Sequence, residues 1–135
     1  MKKSILLLLL SVFVFSLASQ AQSKKKQIEV LYFKADLACC KAKSCNMLQS
    51  DVDSIVVKYF AKDNAKFKVV RIADEANKGL VEKYSAKSQT VVVLKKKGKK
   101  ESFLDVSDVV QAYLADKDKG KFEETMKTKI ADFIK

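Results

Sequence analysis

The sequence predicts an α/β domain: a four-stranded mixed sheet, in the order β-α-β-α-β-β-α, with helices on both faces. Three observations carry this reading. Runs rich in β-branched and apolar residues recur at 27–33, 66–72 and 89–95. Helical periodicity fills the intervals between them. A Lys97-Gly98-Lys99 turn folds the third run straight back into a fourth.

The elements follow in order. "QIEVLYF" (27–33) is apolar and continuous, as a buried strand is. Leu48, Val52, Ile55, Val56 and Tyr59 then recur on one face of a helix that runs to about Ala61, where Asp63-Asn64 ends it. "KFKVVRI" (66–72) is the second strand. "DEANKGLVEKY" (74–84) is a short helix, with Asp74 placed to cap it and Leu80, Val81 and Tyr84 facing inward. "QTVVVLK" (89–95) is the third strand and "ESFLD" (101–105) completes the hairpin. Ser107 is placed to cap a helix near 108–115. Asp118 is placed to cap a last one carrying Phe122, Met126, Ile130, Phe133 and Ile134. Helical crossovers link the first three strands, which should therefore be parallel; the hairpin adds an antiparallel edge. Asp51 and Asp53 point apart on a helix and read as a solvated face.

The first 21 residues read as a secretory leader rather than as part of the fold. Lys2 and Lys3 open it, Ile5 to Leu17 is apolar apart from Ser11 and Ser16, and Ser19-Gln20-Ala21 offers a cleavage point. The apolar run is shorter than the roughly 20 residues of a spanning helix. The division expected is a leader over 1–21, a flexible lysine-rich start over 22–26, and one domain over 27–135, in a periplasmic or secreted protein that is a monomer and is not inserted in a membrane once the leader is removed.

Composition then narrows the chemistry. The chain of 135 residues carries a formal charge of +11, and loss of Lys2 and Lys3 with the leader takes it to +9. The lysines are dispersed, Arg71 is the single arginine, and no basic-aromatic interleaving is present, so no nucleic-acid partner is expected. The absence of histidine excludes Cys-His and Ser-His-Asp catalysis and histidine metal ligands. With glycine only at 79, 98 and 120 there is no phosphate loop.

Sulfur remains. All three cysteines, Cys39, Cys40 and Cys45, fall within "KADLACCKAKSCNML". Together they could hold a soft metal or metalloid, since soft ions take thiolate ligands: As(III), Sb(III) or Cu(I), none of them needed as a resident cofactor. Alternatively the cluster is redox-active, pairing Cys45 with Cys39 or Cys40 in thiol–disulfide exchange with a protein partner. A third reading is one stabilising disulfide and a spare thiol. An oxidising compartment favours the redox reading, and an odd cysteine in an exported chain is itself a flag. Ion binding needs all three thiols; exchange needs two.

The element order, with cysteines between the first strand and the first long helix, resembles the thioredoxin fold, and "VVRIADEANKGLVEKYSAKSQTVVVLKKKGKK" resembles the second half of such a domain. The resemblance covers about 27–134 and implies active thiols at the start of that helix. Thioredoxins carry C-x-x-C and a cis-proline before the third strand; this chain has C-C-x4-C and no proline, and the matching position is Gln89, before Thr90. The C-C-x4-C spacing and "DVDSIV" (51–56) resemble the arsenite metallochaperones of the ArsD family, which implies Cys39, Cys40 and Cys45 as ligands of trivalent arsenic or antimony. The leader, the "DEANKGLVEKY" segment and the closing "KFEETMKTKIADFIK" resemble small exported ArsF-like thioredoxin-domain proteins.

Helix geometry bears on the spacing. On a continuous helix Cys40 and Cys45 would lie about 7.5 Å apart along the axis and about 140° around it. A loop over 38–43 is therefore expected, with the helix starting near Ser44 and Cys45 in its first turn. There the dipole favours a thiolate, and Lys41 and Lys43 add positive potential. Tyr32, Phe33 and Asp36 lie on the approach; Gln89 and Thr90 should face the cysteines and shape a groove.

Overall fold

A computed structural model describes residues 25–36 and 39–135, with the side chains of 39–42 excepted. The expected leader over 1–21, and residues 22–24 of the lysine-rich start, lie outside the described residues. Among the described residues no helix is long and apolar enough to cross a membrane.

Four strands form one sheet: β1 (Gln27–Lys34), β2 (Ala65–Arg71), β3 (Val91–Lys97) and β4 (Lys100–Asp105), in the spatial order β2-β1-β3-β4. Strand β1 is central and buried on both sides, which is why its sequence reads as a nearly unbroken apolar run. Its alternation divides the core. Ile28, Val30 and Tyr32 face one side, with Val91 and Val93 of β3, and pack under α1 (Cys39–Phe60), α3 (Ser107–Asp116) and α4 (Lys119–Ile134). Leu31 and Phe33 face the other, with Val92 and Leu94, under the short α2 (Lys78–Lys83). The protein is thus an α/β domain with a mixed four-stranded sheet and helices on both faces.

The strand directions differ from expectation at one point. Strands β1 and β2 are parallel, but β3 runs antiparallel to β1. Helix α2 has only six residues, about 9 Å of rise, while a seven-residue strand spans about 23 Å. The connection leaves β2 and enters β3 at the same end of the sheet: Ile72 N–H donates to Lys34 O (3.0 Å), and Val91 pairs with Tyr32. A helix that short does not carry the chain back to the far end, so β3 returns in the opposite direction. The hairpin then turns at Gly98, whose φ of 63° suits the positive φ such two-residue loops require.

Other details also shift. Strand β3 starts at Val91, not 89, because Lys87–Thr90 forms a turn closed by Thr90 N–H to Lys87 O (3.1 Å). Asp74 precedes a 3₁₀ turn (Glu75–Asn77) and makes no side-chain cap. Ser107 is inside α3, and its Oγ accepts from Val91 N–H instead (3.1 Å), tying the helix start to β3. Asp118 does cap α4, accepting from Lys121 N–H at 3.0 Å. Asp51 is not solvated: it accepts from Tyr113 Oη (3.0 Å) and pairs with Lys119 (2.6 Å), joining α1 to α3 and α4. The turn around α1 carries Asp51 between the two C-terminal helices, which the pairwise comparison with Asp53 does not register. Lys26, just before β1, donates to Ile134 O at the end of α4, so the lysine-rich start is tied down at its last residue.

Candidate functional site

The cysteines lie where β1, α1 and the loop before β3 meet. Helix α1 begins at Cys39, so the loop expected over 38–43 is not present from 39 onward. Residues 39–43, Cys-Cys-Lys-Ala-Lys, hold no glycine or proline and nothing else that breaks a helix. The expectation of a loop came from the needs of a shared ion, which local propensity does not register. Cys39 and Cys40 therefore occupy the first turn, and Cys45 the second. The dipole acts on the first turn, so its benefit falls on the vicinal pair rather than on Cys45. By ideal helix geometry the Cα atoms of Cys40 and Cys39 lie roughly 8.7 and 9.8 Å from that of Cys45, beyond the roughly 7 Å limit for a disulfide.

Cys45 is turned into the protein. It is 1% exposed and free. Its sulfur accepts a hydrogen bond from Gln89 Nε2 at 3.3 Å and lies 4.0 Å from Ser88 Oγ. Its carbonyl accepts from Tyr32 Oη at 3.1 Å. Burial, and then the neighbouring Cys45, push the Tyr32 phenol well above its usual range, which keeps it a donor. Among the described residues no three Cys, Asp or Glu side chains come together to hold an ion; Cys45's is the only cysteine side chain among them.

The loop facing Cys45 is stitched to β1. Gln89 N–H donates to Phe33 O (2.8 Å) and Phe33 N–H to Thr90 O (2.9 Å). Gln89 has φ 67°, a left-handed conformation that costs a residue with a Cβ roughly 1–2 kcal/mol. Asn64, Ser85 and Lys117 share the sign of φ, and each closes a helical segment. Gln89 does not; its conformation delivers the amide to a thiol 44 positions away. Such strain, where the surroundings enforce it, collects at functional sites.

Gln89 therefore faces the cysteine cluster as expected, through Cys45. Thr90 does not: its Oγ1 accepts from Lys87 N–H (3.0 Å) inside its own turn. Tyr32 reaches Cys45, whereas Phe33 packs on the opposite sheet face against Tyr84. Asp36 is exposed. Sequence reasoning missed Ser88, and also Lys34, whose Nζ donates to Asn46 Oδ1 (2.6 Å) and Gln49 Oε1 (3.2 Å) and pins the end of β1 to α1. The amphipathic spacing of Asn46 and Gln49 beside the buried Cys45 and Leu48 was the available signal.

No protein-family model and no curated protein matches the chain. Among solved structures it is similar to one described as "Structure of a malarial protein", at 23% identity over 66% of this chain and 94% of that one, with a TM-score of 0.39. A superposition at that level lends no weight to any functional reading.

Proposed function

We propose that this chain is an exported, thioredoxin-like thiol protein that binds a soft metal or metalloid, As(III) in the first instance, through Cys39, Cys40 and Cys45. The observation that carries the reading is the buried Cys45 sulfur, set by Gln89 across the loop that precedes β3. The sheet order, with β1 and β2 parallel and β3 and β4 antiparallel, and a cysteine-bearing helix directly after β1, supports the thioredoxin-like part. The N-terminal pattern supports export.

Sulfur convergence requires the first turn of α1 to open. Two thiolates sharing an ion at about 2.3 Å each stand roughly 3.8 Å apart, against about 2.05 Å in a disulfide. The shared ion thus asks for less backbone movement than closure of a Cys45 disulfide, which favours ion binding over exchange. The turn is poorly secured: no acidic residue lies in it, and Lys41 carries the sign that the dipole disfavours there. If 39–43 leave the helix, Ser44 becomes the residue able to cap what remains.

The reaction balances as arsenous acid and three thiols giving one arsenic trithiolate and three waters. Native mass spectrometry of reduced protein with one equivalent of arsenite should show one arsenic gained and three protons lost. That species should be absent from each single Cys→Ser variant. No adduct, together with fast disulfide exchange in the same sample, overturns the reading in favour of a redox protein.

The opening itself predicts the effect of Ser44→Ala. Alanine is the better residue inside a helix and a poor cap, so the substitution shifts the balance toward the closed turn by roughly 1–1.5 kcal/mol. Arsenite loading should weaken about 5–10-fold while the unloaded protein is no less stable to urea. Unchanged loading would show that α1 does not shorten on binding.

A further inference from the structure

At the end of the sheet remote from the cysteines the topology gathers positive charge. Three segments meet there. The β3–β4 hairpin tip brings exposed Lys97, Lys99 and Lys100; the entry to β2 brings exposed Lys62 and Lys66. The end of α4 brings Lys135, next to Lys26, over an open depression floored by Tyr59, Phe60 and Ile134. The acids at this pole are largely spoken for. Glu29 pairs with Lys96 (3.4 Å), Glu101 with Lys96 (3.7 Å) and Lys83, and Asp132 with Lys135 (2.7 Å). Asp63 remains. Among the described residues, Lys62, Lys66, Lys97, Lys99 and Lys100 have no carboxylate within ion-pair distance. The cysteine end carries both signs, with Lys34, Lys43, Arg71, Lys78, Lys87 and Lys117 among Asp36, Asp74, Glu75 and Asp105. The molecule is therefore electrically polar along its sheet axis, with the thiols at the less charged end.

We propose that this basic pole docks on an anionic lipid surface and so holds the cysteine end toward solution. The chemistry of the pole selects this partner. Its cations are lysines, point charges suited to dispersed phosphate headgroups, and the chain's one arginine, Arg71, ends β2 at the opposite end of the sheet. They cap one end of the molecule, as contact with a plane requires, instead of lining a groove that would follow a polymer. Of the helix C-termini at this pole, whose dipoles would repel phosphate, that of α4 has its carbonyls covered by lysines: Lys26 donates to Ile134 O and Lys95 to Phe133 O (3.2 Å). Each lysine brought to such a surface multiplies the partition roughly fivefold, and the attraction fades within a Debye length of about 10 Å at 0.1 M salt.

The test is co-sedimentation of the full chain, without its leader, with vesicles of phosphatidylcholine alone and with about one-third phosphatidylglycerol. The protein should partition onto the anionic vesicles only, less as salt rises. Combined Lys97→Glu, Lys99→Glu and Lys100→Glu should lower partition roughly 100-fold or more. Lys78→Glu, Lys87→Glu and Lys117→Glu, an equal charge change around the cysteine end, should lower it far less. Bound protein should show Lys97 and Lys99 protected from acylation and Lys43 not. Equal loss in both triple variants would reduce the effect to net charge and overturn the proposal. So would binding to soluble polyphosphate without binding to vesicles, or no binding at low salt. Circular dichroism of both variants confirms folding; all six positions are exposed. The arsenite experiment and this one fail independently.

Discussion

Cys45→Ser should lower arsenite affinity by about 100-fold or more, some 2.7 kcal/mol, and should also lower the stability of the unloaded protein by about 1 kcal/mol. The two effects together are the signature of this position. Its sulfur is buried, with Gln89 Nε2 at 3.3 Å and Ser88 near it, so a shorter hydroxyl leaves a small gap among groups placed for sulfur. A serine oxygen is a hard ligand and does not replace thiolate for a soft ion. The remaining Cys39–Cys40 pair should still give a weaker two-sulfur adduct that retains a hydroxide, so the mass gained on loading is larger by one water than for the trithiolate. Isothermal titration gives the affinity, urea unfolding the stability, and the mass the number of sulfurs. Unchanged affinity in this variant would remove Cys45 from the site and leave the vicinal pair alone.

Phe122→Ala should be the most damaging single change to the fold, at about 3–5 kcal/mol. Phe122 is 3% exposed and stacks on Tyr113 at 4.4 Å between ring centroids, with 16° between the planes. Tyr113 in turn donates to Asp51 of α1. The ring thus sits where α4, α3 and α1 are joined, and its removal leaves a cavity between them. Against a total of about 5–15 kcal/mol for a domain, the loss is large, and the thermal midpoint should fall on the order of 15 °C. Met47→Ala is the matching control. Met47 is 57% exposed, and its truncation should change stability by about 0.5 kcal/mol or less. A small effect of Phe122→Ala in thermal circular dichroism would mean that α4 does not hold α1 in place.

The strands and helices were legible because their signals are local. The nearly unbroken apolar run of β1 reports burial on two faces, and Leu48, Val52, Ile55 and Val56 report one face of α1; neither depends on where the chain goes next. Gly98 and Asp118 act on their immediate neighbours, and both do what their residue types suggest. Ser107 and Asp51 were misread for the opposite reason. Their polar atoms are used by groups 16 and 62 positions away, so no window of sequence around them shows the partner. The start of α1 differs from expectation because Cys39–Lys43 forms helix by ordinary propensity, which the geometry of a shared ion does not change.

The sequence alone determined the α/β class, the positions of the four strands to within about two residues, and the concentration of all cysteines in the short stretch that follows β1. Tertiary structure decided that β3 runs against β1, that the Cys45 sulfur is buried against Gln89, and that the lysines of three separate segments share one pole. Periodicity and residue type act over a few residues and survive in the one-dimensional pattern. Strand direction, the reach of a strained glutamine to a thiol and the summing of distant charges arise only when the chain closes on itself.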